Sequence, residues 1–179
     1  MPVTIRQTAP NFCLNGAQGN DTLSNVTLDS YKGKWVVLLF YPMDWTFVCP
    51  TELFAYSDAT DKFDAINTVV LGISGDSPYT HLSWLKAARS EGGLGGLVTI
   101  PLLSDVTRET MKAYGVYNED KSGMDYAQAF RGLVAAEIVF ERVAVERAVC
   151  AGGGWADSGK DICLCAGNGR NAHAGSGAV

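Results

Sequence analysis

Residues 36–53 read Val36-Val-Leu-Leu-Phe-Tyr-Pro-Met-Asp-Trp-Thr-Phe-Val-Cys-Pro-Thr-Glu-Leu53, and this is the most informative part of the sequence. Its first part, residues 36–41, is an unbroken apolar run of strand length, which is typical of a central strand buried on both faces of an α/β sheet. Cys49 follows after a turn, and Pro50 suits the first helical position because its fixed φ favours the helix and no hydrogen bond is lost. The stretch therefore predicts a strand, a turn and a helix that begins at Cys49.

A cysteine at a helix start is well placed for nucleophilic chemistry. The free N–H groups of the first turn and the helix dipole present partial positive charge to Cys49, and Thr46 carries a hydroxyl three residues upstream. Such surroundings, together with a nearby cation, lower the pKa of a thiol from about 8.5 to about 3.5–7.5. The spacing also leaves a structural role open, because free cysteine is among the most buried residue types.

The composition predicts an ordinary globular domain. The chain has 179 residues, of which 47% are hydrophobic and 18% charged. A net charge of −5 without a basic run argues against nucleic acid or an anionic membrane as partner. There is no apolar run of transmembrane length and no apolar core of a secretory signal near the N-terminus, so we expect a cytoplasmic location.

The cysteine and histidine content predicts neither a metal nor another cofactor. Five cysteines in a cytoplasmic chain are more often free or catalytic than part of a disulfide framework. Cys13, near the N-terminus, is expected to be structural. Cys163-Leu-Cys165 is a weak metal or redox signal, and only two histidines are present, so a zinc site is not expected.

Strands and helices alternate along the chain, which predicts an α/β domain with a mostly parallel central sheet. Residues 20–34 are polar and turn-rich and predict a surface loop. The further predicted elements are a helix over about 51–66, a strand over 68–73, a helix over 78–89, a strand over 98–103 and a short helix over 107–114. Residues 133–149 favour a strand at their start, whereas the spacing of their charges leaves a helix open for the rest.

The last part of the chain has a different character. Eight of residues 150–179 are glycine and six are alanine, and few large apolar side chains are present. Such a segment buries too little surface to offset the entropy of ordering it. The sequence therefore predicts a folded domain over residues 1–149 and a disordered tail over 150–179.

The segment from Phe40 to Glu52 resembles the active-site segment of the peroxiredoxins, in particular of their typical two-cysteine group. Ala9-Pro-Asn-Phe12, Asp76-Ser-Pro-Tyr-Thr-His-Leu-Ser-Trp84 and Phe130-Arg-Gly132 are similar to further segments of that family, in the same order. The resemblance covers about residues 3–133. It implies a thioredoxin-like fold and a thiol-dependent peroxidase that reduces hydrogen peroxide and organic hydroperoxides.

The resemblance also implies roles for five residues. Cys49 would attack the peroxide and become a sulfenic acid. Arg131 would lie beside the sulfur and hold the peroxide oxygens through its planar fork of donors. Thr46 would donate a hydrogen bond to the bound peroxide. Pro42 would cover the sulfur and exclude water, and Glu52 would orient the arginine through an ion pair.

Turnover in such an enzyme needs partners. The resemblance implies a thioredoxin-like or other thiol reductant and a homo-oligomer, either a dimer or a ring of dimers, with contacts around Trp45 and residues 76–84. Cys150 is the C-terminal candidate for a resolving cysteine, although the proline expected near it is missing. The match ends abruptly after Gly132, which raises the hypothesis of a shifted reading frame that the coding DNA would test.

Two other functions remain open at this stage. The first is a non-cycling, oligomeric binding or holdase protein that keeps the peroxiredoxin body but lacks its C-terminal resolving segment. The second is a cysteine hydrolase, which needs a histidine base near the thiol, a role for which His81 is the one credible candidate. A thioredoxin-type disulfide reductase is not expected, because the chain contains no Cys-x-x-Cys motif.

Overall fold

The computed structural model describes residues 2–4, 7–46, 49–123, 126–138 and 143–149. The strands are β1 Cys13–Gln18, β2 Asp21–Thr27, β3 Trp35–Phe40, β4 Thr68–Ser74, β5 Leu102–Ser104, β6 Gly132–Ile138 and β7 Val143–Val149. The α-helices are α1 Cys49–Asp58, α2 Thr60–Asp64, α3 Pro78–Lys86 and α4 Glu109–Ala113, and short 3-10 helices span Leu28–Tyr31 and Arg89–Glu91.

These strands form one mixed sheet in the order β2-β1-β5-β4-β3-β6-β7. The three central strands, β5, β4 and β3, are parallel to one another, as predicted. The pairs outside them are antiparallel: β1 with β2 and β5, and β6 with β3 and β7. The α/β architecture predicted from the sequence is therefore present, with its parallel part confined to the centre.

Strand β3 is buried on both faces, which explains its unbroken apolar sequence. Val36, Leu38 and Phe40 belong to one core cluster, which also contains Met111 and Tyr114 from the α4 region. The side chains that alternate with them, Val37, Leu39 and Tyr41, belong to a second cluster on the opposite face. That cluster also contains Leu53 of α1 and Trp84 and Leu85 of α3. Helices therefore cover both faces of the strand that leads to Cys49.

The prediction of a surface loop over residues 20–34 was wrong for most of the segment. Residues 21–27 form β2, which pairs antiparallel with β1, and a 3-10 helix follows at Leu28–Tyr31. Strand β2 lies at the edge of the sheet and is mostly exposed, so its sequence lacks an alternating apolar pattern. Pairing with β1 stabilises it, and that long-range contact leaves no signal in the local sequence.

Other predicted elements exist with different bounds. The helix predicted over 51–66 is divided into α1 and α2 around Ala59, and the helix over 78–89 ends at Lys86 because Ala87 takes an extended conformation. The strand over 98–103 is shorter than predicted, although Val98 and Ile100 are buried ahead of it. The predicted strand was too long because these buried apolar residues lie in a loop ahead of β5.

The ambiguous segment over 133–149 forms two antiparallel strands, β6 and β7, with a register irregularity between Ala135 and Ala136. The strand predicted at its start is confirmed, and the helical alternative for the remainder is wrong for Val143–Val149. The predicted tail over 150–179 lies outside the described residues, so the division at residue 149 stays a prediction. No helix in the described ranges has both the length and the apolarity needed to cross a membrane.

Arg108 ties together three loops at the end of the sheet that carries the candidate site. Its Nη1 donates to the carbonyls of Gly75, Asp105 and Val106 at 2.7, 3.2 and 2.7 Å, and its Nε donates to that of Ala127 at 2.9 Å. A Cβ at position 75 would lie 2.5 Å from the guanidinium carbon, so the approach requires glycine there. The guanidinium thus fixes the segment that leads to β6.

We predict that Arg108→Met lowers the free energy of unfolding by about 2–3 kcal/mol, because methionine keeps an unbranched apolar stem but leaves partly buried carbonyls without a charged donor. Urea denaturation followed by tryptophan fluorescence measures this loss. Lys32→Met is the control, since the ion pair of Lys32 with Asp29 is about half exposed and such pairs contribute less than about 1 kcal/mol. Equal losses in the two variants would contradict the role given to Arg108.

Candidate active site

Cys49 is the first residue of α1 and its side chain is almost fully buried, with 1% of its surface exposed. It packs in the second core cluster with Tyr41 and Leu53. The predicted sequence of strand, turn and helix start is therefore confirmed. A buried thiol at this position is shielded from bulk water and faces the N-terminal end of the helix dipole.

Arg131 reaches Cys49 from a distant part of the chain. It directly precedes β6, whose first residue, Gly132, pairs with Phe40 at the end of β3. The chain leaves β3 at this point towards Cys49, so the two residues meet across 82 positions of sequence. The Nη2 of Arg131 donates to the Cys49 Sγ at 3.7 Å.

Glu52 holds the other side of the same guanidinium. Its Oε2 accepts from Arg131 Nη1 at 2.6 Å, and roughly a quarter of each side chain is exposed (21% for Glu52 and 24% for Arg131). Burial lowers the pKa of Arg131, but the hydrogen bond to Glu52 and the charges of Cys49 and Glu52 more than offset this and leave that pKa above its ordinary value. The guanidinium therefore remains a cation beside the sulfur.

Pro42 and Thr46 lie in the segment between β3 and α1. Thr46 is partly exposed and its hydroxyl donates to the carbonyl of Met43 at 3.1 Å, which closes a turn within the segment. Pro42 is also partly exposed. The geometry thus brings Cys49, Arg131 and Glu52 into one cluster, while the roles of Pro42 and Thr46 stay predictions.

A buried polar network beside this segment was not foreseen as part of the site. Asp44 and His81 are both fully or almost fully buried, and His81 Nδ1 lies 2.7 Å from Asp44 Oδ2. Burial raises the pKa of Asp44, against the opposing effect of its contacts with His81 and Tyr41. In the sequence, the one indication of the network is the charge of Asp44 within a mostly apolar and aromatic run.

The contacts of His81 also bear on the hydrolase alternative. Its ring nitrogen Nδ1 faces Asp44 at 2.7 Å and the Tyr41 hydroxyl at 3.5 Å, so its hydrogen bond runs to a carboxylate and not to the thiol of Cys49. The thiol has Arg131 as its polar neighbour instead. This arrangement gives no support to a cysteine–histidine pair.

The remaining candidate residues are either exposed or outside the described part of the chain. Cys13 opens β1 and is exposed, with its sulfur 3.8 Å from the side-chain oxygen of Asn25. Cys150, the candidate resolving cysteine, lies outside the described residues, as do Cys163 and Cys165. Among the residues that are described, no group of three or more His, Cys, Asp or Glu side chains could hold a metal ion.

The sequence and the fold both match known proteins. The family model described as AhpC/TSA family matches residues 5–136. Peroxiredoxin-2 of Bos taurus is 49% identical over 129 residues, which are 72% of this chain and 61% of the relative. Peroxiredoxin-4 of Dictyostelium discoideum is 49% identical over 118 residues, which are 66% of this chain and 45% of the relative. The chain thus spans about half of the length of these relatives.

A solved structure supports the same conclusion. The reduced 2-Cys peroxiredoxin of Plasmodium vivax superposes with a TM-score of 0.73 at 34% identity, covering 83% of this chain and 72% of that one. The thioredoxin-like fold that the sequence resemblance implied is therefore confirmed. By its family model, its relatives and its fold, this chain belongs to the AhpC/TSA family of peroxiredoxins.

Proposed function

We propose that this chain is a thiol-dependent peroxidase that reduces hydrogen peroxide and organic hydroperoxides with Cys49 as its nucleophile. The observation that carries the proposal is the contact of 3.7 Å between the Arg131 guanidinium and the Cys49 sulfur, at a helix N-terminus and out of contact with bulk water. The guanidinium and the helix N-terminus both present positive charge to the sulfur, which is the nucleophilic atom of a cysteine.

In the first step the thiolate attacks the terminal oxygen of the peroxide. The S–O bond forms as the O–O bond breaks, so that sulfur loses two electrons and the peroxide gains them. The products are a sulfenic acid at Cys49 and an alkoxide or hydroxide, which takes a proton from solvent. Arg131 stabilises the negative charge that moves from sulfur to the leaving oxygen.

Three further residues support this step. Glu52 holds the guanidinium with its ion pair of 2.6 Å, so that the fork of donors faces the sulfur. Thr46 donates a hydrogen bond to the bound peroxide and aligns the O–O bond for attack. Pro42 shields the sulfur from water. The location of both residues on the segment that leads into α1 supports these assignments.

The sulfenic acid must then be reduced by a second thiol. We propose a thioredoxin-like or other thiol reductant, and a relative from Trypanosoma brucei rhodesiense that is 44% identical is named thioredoxin peroxidase. Cys150 remains the candidate for a resolving cysteine. We do not favour the alternative of a non-cycling binding or holdase protein, because the relatives carry peroxiredoxin and peroxidase names.

We further propose that the chain forms a homo-oligomer, a dimer or a ring of dimers, in the cytoplasm. Met43, Trp45 and Tyr79 are exposed large apolar side chains, with 38%, 44% and 77% of their surfaces accessible. A peroxiredoxin of Plasmodium yoelii that was modified at its N-terminus forms an artifactual octamer, and one of Plasmodium falciparum is described as mitochondrial. Light scattering and fractionation test these two points for this chain.

The central prediction is selective oxidation of Cys49. Reduced protein mixed with a slight excess of hydrogen peroxide, followed by trapping of sulfenic acid and mass mapping of all five cysteines, should give modification at Cys49 alone. Cys49→Ser should abolish it. Slow and indiscriminate oxidation of every cysteine would overturn the proposal, and a Cys49–Cys150 disulfide would establish the two-cysteine mechanism.

A second prediction concerns the cation. Arg131→Met should lower the second-order rate constant for hydrogen peroxide by about 100- to 1000-fold, because the charge developing on the leaving oxygen loses its donor. Stopped-flow fluorescence measures the rate. Arg131→Lys should fall between this variant and the wild type, since lysine keeps the charge but cannot contact Cys49 and Glu52 with one planar fork. Lys32→Met, a change of an exposed surface cation, is the control, and unchanged reactivity in Arg131→Met would remove the arginine from the mechanism.

A further inference from the structure

The buried polar network on the core side of the active-site segment has no part in the chemistry described above. His81 of α3 is fully buried, and its Nδ1 lies 2.7 Å from Asp44 Oδ2. The Tyr41 hydroxyl donates to the other carboxylate oxygen at 2.9 Å. Burial and the charge of Asp44 raise the pKa of Tyr41 well above its ordinary value, so this hydroxyl stays a donor.

The backbone of Asp44 is anchored as firmly as its side chain. Its N–H donates to Asp76 Oδ2 at 2.9 Å, and the Ser74 hydroxyl at the end of β4 donates to the same oxygen at 2.7 Å. One residue therefore connects the active-site segment to β4 and to α3 at once. Two carboxylates, a histidine and a tyrosine hydroxyl are buried or partly buried in this small volume.

Such a network is a poor way to stabilise a core. Burying charges and polar groups carries a desolvation penalty, and apolar side chains of similar volume often serve stability equally well. His81 Nε2 illustrates the penalty, since it is buried without a hydrogen-bond partner among the described residues. The directional contacts of the network are better explained by a need for fixed geometry.

The segment that the network fixes is strained. Trp45, directly after Asp44, has a backbone φ of +58°. This value lies in the left-handed region, which residues other than glycine rarely adopt. Its neighbour Thr46 is held by the turn to Met43. The anchors at Asp44 hold the residue next to this strained position. Their loss would let Trp45 relax and displace its neighbours in the segment.

We propose that Asp44 and His81 are positioning residues for peroxide reduction, which hold residues 41–46 in the conformation that presents Pro42 and Thr46 beside Cys49. The inference rests on the proposed function. Neither residue contacts the peroxide: they act through the segment. Peroxide attack needs aligned reactants, and a displacement of about 1 Å reduces such rates by about 100-fold. Alkylation of the same thiol by iodoacetamide is also a displacement, but it needs no hydrogen bond from Thr46 to orient the reagent.

The test compares these two reactions at Cys49. His81→Leu removes the donor to Asp44, and we expect the hydrogen peroxide rate constant to fall at least about tenfold while the iodoacetamide rate constant changes less than about threefold. His81→Asn should restore the peroxide rate to within about threefold of the wild type, because its amide offers a donor near the position of Nδ1. The pH is held constant throughout.

Two further variants separate positioning from general destabilisation. Met111→Ala truncates a fully buried side chain in the core cluster on the opposite face of the sheet from Cys49, and it should leave both rate constants near wild-type values while the protein is folded. Tyr41→Phe removes one donor to Asp44 with little change of volume, and it should lower the peroxide rate selectively. This variant decides the question if His81→Leu does not fold, as judged by near-ultraviolet circular dichroism.

The outcomes are distinguishable. A selective loss of peroxide reactivity with rescue by asparagine supports the inference. Equal losses in both reactions, or unchanged rates in the folded variants, overturn it while leaving the peroxidase function intact. If wild-type Cys49 itself shows no rapid reaction with peroxide, the proposed function fails and the inference fails with it.

Discussion

The pairing of β6 with β3 brings the two halves of the candidate site together. Phe40 and Gly132 are partners at the end of this antiparallel pair, and the residues just beyond them lead to Cys49 on one strand and carry Arg131 on the other. A slip of one residue in register would send the side chains of β6 to the opposite faces of the sheet. The contact of guanidinium and sulfur at 3.7 Å is therefore a result of strand register as much as of local sequence.

Local sequence was sufficient for the part of the site that is local. The apolar run of β3, the helix start at Cys49 and the first-turn position of Glu52 follow from short patterns, and the structure has all three. Arg131 was different, because nothing within its own segment indicates a thiol partner 82 residues away. It was identified only through the resemblance to a family in which an arginine occupies that place.

The structural features that could not be predicted from the sequence are those that depend on contacts between distant segments. The edge strand β2 exists because β1 is beside it, and its exposed residues carry no alternating pattern. Asp44 and His81 likewise lie in two separate segments, each of which resembles a peroxiredoxin segment. Their contact forms only when α3 packs on the sheet. Periodic burial and motif spacing leave a pattern in the sequence. A buried polar pair such as Asp44 and His81 leaves no such pattern, because its two members are far apart along the chain.

Because 82 residues separate Cys49 from Arg131, the cysteine is synthesised well before the arginine. At about 5–20 residues per second, a ribosome adds the arginine roughly 4–16 seconds after the cysteine. Throughout that interval the nascent thiol lacks the cation that the finished fold places beside it. The long separation thus makes the pairing of thiol and guanidinium a property of the completed domain, and in a nascent or unfolded chain Cys49 is a cysteine without that cation.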